Sequence, residues 1–283
     1  MSNKRSFFLI GISLLINLLL STDASSMEVH SHTHFKPSLY ISGQYRPGVS
    51  HFSKFSVKET HHNTVKLVGM KKDSKTDMTN IKLNTNFNST YNAEFQDNEI
   101  SFSGAIGCLY SENLRIEVEA SYEEFDVKNP DGGAATDAYR YFALARKMGE
   151  NTNSPSDTEK FTVMRNDGLS ISSVMINGCY NVILNDIQAE PYICAGIGGD
   201  FIEFFNGFHV KFAYQGKVGI SYQIFPEVRL FLDGYYHKVK GNKFKNLHVQ
   251  HVDTLQNAPK VTSAVATLNI GYFGCEAGVR FIF

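Results

Sequence analysis

The sequence predicts an all-β protein: a transmembrane antiparallel β-barrel of eight strands, with ten to twelve strands as the alternative. Three observations lead to this prediction. Apolar and polar residues alternate with period two over long segments, which is typical of strands that have one apolar face. The connections between these segments alternate between short and long, as in barrels with periplasmic turns and surface loops. The last segment has apolar residues at every second place and ends on Phe283.

Residues 1–26 are predicted to be a cleaved signal peptide. Lys4 and Arg5 precede an apolar run from Phe7 to Leu20, and a stretch of small residues follows. The run is too short and wrongly flanked for a stable membrane span, so the arrangement indicates secretion. Residues 27–38 are then predicted to be an N-terminal periplasmic tail, and residues 39–283 the barrel with its loops.

The composition excludes several classes of protein. The chain has 283 residues, of which 19% are charged, and a net charge of -1. This near-neutral balance argues against a nucleic-acid-binding protein, which would carry a basic face. A mean hydropathy of -0.21 leaves no room for several helical membrane spans.

Each predicted strand is long enough to cross a bilayer at a tilt. The strands lie at about residues 39–48, 100–110, 114–125, 169–183, 191–204, 212–225, 228–239 and 266–283. The connections after the second, fourth and sixth strands are tight. The other four are polar and mostly longer, and they are predicted to be surface loops, which places both termini in the periplasm. These loops lie near residues 49–99, 126–168, 205–211 and 240–265.

A soluble barrel is the alternative fold, because its strands also alternate, with the apolar face inward. It would be a secreted ligand-binding protein that stays soluble without detergent. The loop asymmetry and the C-terminal pattern favour the membrane barrel, since a lipid-facing band explains both. Phe281 and Phe283 resemble the signal by which outer-membrane barrels are recognised for assembly.

Several stretches along the mature chain carry a family resemblance. They are Tyr40–Pro47, His51-Phe52, Phe55–Glu59, Ile116–Glu119, Ser121–Asn129, Asp137–Tyr141, Pro191–Gly198, Tyr214–Tyr222, His237–Asn242 and Tyr272–Gly274. In these stretches the sequence resembles the surface-antigen family of Ehrlichia and Anaplasma, the immunodominant major outer-membrane proteins of those intracellular bacteria. The departures from the family pattern fall mainly in predicted loops, so they bear on loop function rather than on the fold.

The resemblance implies a barrel exposed at the bacterial surface and recognised by host antibodies, with passive passage of small solutes as a second role to be tested. The expected partners are outer-membrane lipid, the outer-membrane assembly machinery and host-cell surface molecules, with no nucleic acid. A general porin with a water-filled channel is the alternative function.

Nine charged residues are predicted to face the lumen once the apolar faces are assigned to lipid. They are Arg115, Glu117, Glu119, Glu123, Lys217, Arg229, Asp233, Glu276 and Arg280. Such charges should pair, because an isolated charge away from water is unfavourable. Two interpretations remain open: a conducting polar lumen, or a lumen plugged by salt bridges, since eight strands enclose a space that side chains can fill. Residues 64–70 and 161–165 could add strands and widen the barrel, and residues 137–147 are predicted to form a short loop helix.

The four cysteines divide into two pairs by the face they occupy. Cys108 and Cys275 are predicted to face lipid, and Cys179 and Cys194 to face inward. The inward pair lies seven residues on either side of the turn at residues 186–187, so the two could be opposite each other on adjacent strands. The periplasm permits a disulfide there, and two free thiols are the alternative.

No catalytic or metal centre is predicted. His30, His32 and His34 could chelate a transition metal, but their terminal position favours a flexible tail. The sequence has no GxSxG, HExxH, Walker A or dinucleotide-binding motif. We therefore expect a protein that is not an enzyme and that uses no cofactor.

Overall fold

The computed structural model describes residues 37–130, 136–156, 161–184, 188–252 and 263–283. The strands in these ranges are β1 (Ser38–Tyr45), β2 (Val49–Ser50), β3 (Ser53–Glu59), β4 (Lys66–Met70), β5 (Phe87–Thr90), β6 (Phe102–Leu109), β7 (Leu114–Phe125), β8 (Tyr141–Ala145), β9 (Phe161–Arg165), β10 (Leu169–Asn181), β11 (Ala189–Phe204), β12 (Gly207–Phe225), β13 (Val228–Val239), β14 (Lys243–Leu247), β15 (His251–Val252), β16 (Ala264–Asn269) and β17 (Gly271–Ile282). Within the same ranges, no helix has the length and apolar character needed to span a membrane.

Eight of these strands form a closed antiparallel barrel in the order β1-β6-β7-β10-β11-β12-β13-β17. The barrel closes because β1 pairs with β6 on one side and with β17 on the other. Closure leaves no strand edge unpaired, which is the condition for crossing a lipid bilayer with strands. The predicted fold class and the strand number of eight are confirmed.

The outer wall of the barrel is apolar and the inner wall is polar. Ile41, Ile116, Ile193, Val218 and Leu232 point outward, and each is 45% to 66% exposed. The residues that alternate with them are mostly buried in the lumen. A soluble barrel would have the reverse arrangement, so the apolar band faces lipid.

Several barrel strands are shorter than the sequence predicted, and the structure explains two of these differences. β1 ends at Tyr45 instead of near residue 48, and Pro47, which has no N–H to donate, follows its end. β17 begins at Gly271, whereas the sequence predicted a strand starting at residue 266. Ile270 turns inward and is only 1% exposed, so the preceding residues form the separate strand β16 above the barrel.

The connection predicted over residues 205–211 is only a two-residue turn, and that boundary was wrong. β11 continues to Phe204 and β12 begins at Gly207, so Phe205 and Asn206 alone join them. Both have positive φ, 50° and 56°, as in a type I′ hairpin turn. The Phe205 ring is buried beside Phe204, with 4.4 Å between ring centroids. This burial holds a bulky residue in a backbone conformation that the sequence does not suggest.

The three long connections contain a β-structured cap, which comprises the described residues 46–101, 126–130, 136–156, 161–168, 240–252 and 263–270. It contains a five-stranded sheet in the order β15-β9-β8-β4-β5 and a three-stranded sheet in the order β14-β16-β3. β4 and β9, which the sequence offered as additional barrel strands, pair within this cap instead. The predicted loop helix over residues 137–147 is a single 3₁₀ turn, Asp137–Arg140, followed by β8.

The strand β8 is packed between two apolar cores of the cap, and this packing stabilises the cap. All five of its residues are buried, because both faces of its sheet are covered. Phe142 and Leu144 belong to the apolar core above the barrel, while Ala143 and Ala145 belong to a second core on the other face. Such continuous burial removes the period-two pattern, and this explains why the sequence did not reveal the strand.

Candidate functional site: a closed lumen beneath a folded cap

The nine residues predicted to face the lumen all lie on barrel strands. Eight are no more than 5% exposed; these are Arg115, Glu117, Glu119, Glu123, Lys217, Asp233, Glu276 and Arg280. The ninth, Arg229, lies near the tight turn between β12 and β13 and pairs with Glu190. Its side chain is 17% exposed, so this pair lies at the periplasmic opening rather than inside the lumen.

Arg46 lies at the centre of the upper lumen, although it was not among the residues predicted to face the lumen. Its guanidinium pairs with Glu119, with Glu123 at 3.3 Å and with Glu276 at 3.2 Å. The group also lies 4.1 Å from the centroid of the Tyr235 ring. Arg46 is 0% exposed, so one fully buried cation holds three carboxylates, two from β7 and one from β17.

Lys217 joins the same network from β12, on the opposite wall. Its Nζ donates to Glu119 Oε2 at 2.5 Å and to Glu276 Oε2 at 2.7 Å. Asn177 adds a neutral connection, since its Nδ2 donates to Glu119 Oε2 at 2.9 Å and to Glu117 Oε1 at 3.1 Å. We call Arg46, Asn177, Lys217 and their carboxylate partners the Arg46 network. It crosses the full width of the lumen.

A second layer of pairs fills the lumen nearer the periplasm. The Arg115 guanidinium lies 4.3 Å from the centroid of the Tyr192 ring, and Tyr192 donates a hydrogen bond to Asp233. The Arg280 guanidinium lies 4.9 Å from the centroid of the Tyr40 ring. The Tyr40 hydroxyl donates to Glu117 Oε2 at 2.5 Å. Aromatic rings thus occupy the space between the charges.

Among the described residues, the cavity found between these two layers is too small for a channel. A cavity of about 10 Å³ lies among Arg115, Tyr192, Lys217, Phe231 and Arg280. A volume of that size accommodates about one water molecule. Of the two interpretations left open by the sequence, the structure therefore shows the filled lumen.

The cap closes the outer mouth of the barrel. Its main apolar core includes barrel residues such as Phe125 and Tyr272 together with cap residues such as Phe142, Phe244 and Leu268. The ring centroids of Phe125 and Tyr272 are 5.3 Å apart, directly above the Arg46 network. Because one continuous core contains residues of both parts, the cap is fixed to the barrel by apolar packing.

Arg140 fastens one cap segment to the rim. Its guanidinium forms two hydrogen bonds with Asp126, at 3.1 Å and 3.2 Å, and a third with Asp167 at 3.4 Å. Asp126 follows β7 and Asp167 precedes β10, so Arg140 joins both ends of the same connection. Burial opposes the charge on Arg140, but the hydrogen bonds and charge of Asp126 raise its pKa above the ordinary value.

Glu59 and Arg146 join the two sheets of the cap. Glu59 comes from β3 of the three-stranded sheet, and Arg146 directly follows β8 of the five-stranded sheet. The Arg146 guanidinium contacts both oxygens of the fully buried Glu59 carboxylate at about 3.1 Å. A planar two-point contact of this kind fixes orientation as well as distance.

Cys179 and Cys194 form a disulfide inside the lumen, with an S–S distance of 2.06 Å. They occupy directly opposite positions on β10 and β11. The Glu117 carboxylate lies near both sulfur atoms, but sulfurs bonded to each other are not thiolate ligands for a metal. Cys108 and Cys275 are free, and Cys275 is exposed on the outer wall.

The remaining predicted features lie at the chain ends. Phe281 and Phe283 are 48% and 75% exposed at the periplasmic end. The signal peptide, the periplasmic tail up to residue 36 and the candidate metal ligands His30, His32 and His34 fall outside the described residues. So does the centre of the turn between β10 and β11.

Strand periodicity could have assigned Arg46 to the lumen. Arg46 lies within the strand predicted over residues 39–48 and continues the buried face of Ser42 and Gln44 beyond the last residue of β1. Its charge was a second signal, because a buried arginine needs an anionic partner.

Comparison with known proteins identifies similar sequences and structures. A family model described as surface antigen matches residues 32–283. Major surface antigen 4 of Anaplasma marginale is 33% identical over 274 residues, which cover 96% of this chain and 93% of that protein. Among solved structures, the outer membrane protein OprG from Pseudomonas aeruginosa is 10% identical with a TM-score of 0.49, covering 87% of this chain and 95% of that one. A major outer membrane protein from Thermus thermophilus is 8% identical with a TM-score of 0.43, covering 88% and 100%.

Proposed function

This chain belongs to the surface-antigen family, and on that premise we propose that its folded cap, rather than its lumen, performs its function by contacting host-cell surface molecules. The protein is an outer-membrane β-barrel, and its cap is exposed at the cell surface. Binding residues concentrate on loops that a rigid scaffold positions. Here the loops are themselves folded, so they present a surface of fixed shape.

The observation that carries this proposal is the closed lumen. The Arg46 network crosses the barrel, and the cap core covers its mouth. A general porin needs a continuous aqueous path, which larger barrels provide. The cap, in contrast, offers open grooves: one of about 320 Å³ lies beside Lys71, Asn88, Thr90, Lys128 and Tyr139.

Conductance separates the proposal from a porin. The mature protein, refolded and inserted into a planar bilayer, should give no steps of uniform size at moderate voltage. The inserted protein should also show the changed gel mobility on heating that marks a folded barrel. Uniform steps from protein in this folded form would refute the proposal in favour of the porin.

Host-cell binding tests the cap directly. We would display the protein on a laboratory bacterium and count the bacteria bound to cultured host cells. Changing the exposed cap residues Lys58 and Lys71 to Glu should alter binding, because it reverses charge on the contacting surface. The matched control is Glu112→Lys in a periplasmic turn, which should leave binding unchanged. The proposal would be overturned if the number of bound bacteria stayed the same in the cap variant and in the control, and if an excess of purified protein did not reduce it.

The proposal includes two further points, one on assembly and one on catalysis. The exposed Phe281 and Phe283 are proposed to be read by the outer-membrane assembly machinery. Their replacement by Ser should lower the amount of folded barrel in the membrane without changing the amount synthesised. We also propose that the protein is not an enzyme.

A further inference from the structure

Lysines are concentrated on one side of the barrel rim, where β12, the end of β13 and β14 come together. They are Lys211, Lys238, Lys240, Lys243 and Lys245. Lys238 and Lys240 lie on the outward face of the β13 segment, in line with Leu232 and Tyr236, which are 55% and 42% exposed to lipid. Along this face the wall therefore changes from aliphatic to aromatic and then to cationic.

The lysines lie beside aromatic residues of the neighbouring strand. Tyr214 on β12 is directly opposite Lys238, and the Lys240 N–H donates to the Phe212 carbonyl oxygen at 2.8 Å. Phe212 is 50% exposed and Tyr214 is 46% exposed. Exposed aromatic rings at strand ends mark the level of lipid headgroups. Lys238 and Lys240 are thus placed at or just above that level.

The upper part of the cluster crowds positive charge together. The Lys211 Nζ donates to the Lys243 carbonyl oxygen at 2.8 Å and lies 4.9 Å from the centroid of the Phe244 ring. The positive charge of Lys245 acts on Lys211, which lies at the cap end of β12, so like charges repel here. A bound anion would relieve this repulsion.

The cluster has no acidic counterpart close by in sequence. Residues 207–214 and 238–247 contain no Asp or Glu. Farther around the rim, a wide groove of about 510 Å³ is lined by five acidic residues, Glu124, Asp126, Asp137, Asp167 and Glu203, and by two basic ones, Arg140 and Arg165. These two parts of the rim therefore differ in the sign of their net charge.

We propose that the lysine cluster binds the phosphate groups of anionic lipids in the outer leaflet. The exposed apolar residues beneath the lysines favour a lipid over a soluble anion, because acyl chains would lie against Leu232 and Phe212 while the headgroup meets the lysines. Each lysine near an anionic membrane surface strengthens binding by about fivefold. Because only this side of the barrel would bind anionic lipid, the barrel would turn this side towards anionic lipids in the membrane.

Native mass spectrometry of the full mature protein in a non-ionic detergent tests the proposal. Phosphatidylglycerol and phosphatidylcholine with identical acyl chains would be titrated separately. We expect phosphatidylglycerol to bind at least about tenfold more tightly, as several cooperating lysines imply. The variant Lys238→Gln/Lys240→Gln/Lys243→Gln/Lys245→Gln should lose this preference.

Matched variants separate a lipid site from general charge effects. Changing four lysines elsewhere on the cap, Lys71, Lys75, Lys82 and Lys128, to Gln removes the same charge and should keep the preference. Arg at the four rim positions should also keep it, which shows that the rim tolerates substitution. Equal binding of both lipids, or an unchanged preference in the Gln rim variant, would overturn the proposal. The proposal would also be overturned if the rim bound a soluble sulfated polysaccharide tightly and showed no preference between the two lipids.

Discussion

Replacing Arg46 by Met should destabilise the barrel more than any other single change in the lumen. Arg46 is fully buried and pairs with Glu119, Glu123 and Glu276. Lys217 still forms salt bridges with Glu119 and Glu276 after the change. Arg46 is the cation paired with Glu123, so the substitution leaves that buried carboxylate without a counter-charge.

The magnitude follows from the burial of this pair. Removing one partner of a buried ion pair costs about 3–5 kcal/mol, because the other charge stays away from water. The Arg46→Met/Glu123→Gln double variant should recover about 1–3 kcal/mol of that loss, since directly interacting residues couple by such amounts. Arg229→Met is the matched control. The side chains of Arg229 and Glu190 are 17% and 19% exposed, so water screens their interaction and the loss should be about 1 kcal/mol.

The assay is equilibrium unfolding by guanidinium of the refolded protein in lipid vesicles, monitored by the heat-dependent shift in gel mobility. The free energy of unfolding of Arg46→Met should be compared with that of the wild type and of Arg229→Met. A loss below about 1 kcal/mol, or a loss equal to that of Arg229→Met, would contradict a barrel whose stability depends on its buried pairs. An Arg46→Met/Glu123→Gln variant no more stable than Arg46→Met would refute the role given to Glu123.

The other predictions concern the disulfide and the cap. Changing Cys179 and Cys194 to Ser removes a bond across a sequence separation of 15 residues, which should lower the free energy of unfolding by about 3 kcal/mol in the chain-entropy model. Ser at the two free cysteines is the control and should leave stability unchanged; the same loss in both variants would rule out a structural role for the bond. Phe142→Ala should leave a cavity in the cap core and lower its free energy of unfolding by about 3–5 kcal/mol. Proteases should therefore cut the cap while the barrel stays intact. Met78→Ala, at an exposed cap position, should keep the cap resistant, and equal cleavage of both variants would mean that the core does not hold the cap.

The sequence was sufficient for the barrel because strand pairing in a membrane obeys a local rule. Residues that face lipid must be apolar and residues that face a narrow lumen can be polar, so each strand shows its two faces by period two. The same alternation gave the phase of Cys179 and Cys194, and antiparallel pairing about a short turn makes them neighbours. The family could also be recognised from the sequence, since the matching stretches run along most of the mature chain.

The cap and the closed lumen were decided only by the tertiary structure. The cap strands β4, β8 and β9 are buried on both faces, so they show no alternation, and their partners lie in different connections of the chain. Arg46 meets Glu119 and Glu276 from distant strands, and periodicity within one strand does not identify such partners. A sequence reports which residues are apolar or charged. Whether charges meet across a lumen, and whether loops share a core, depends on contacts between segments far apart in the chain.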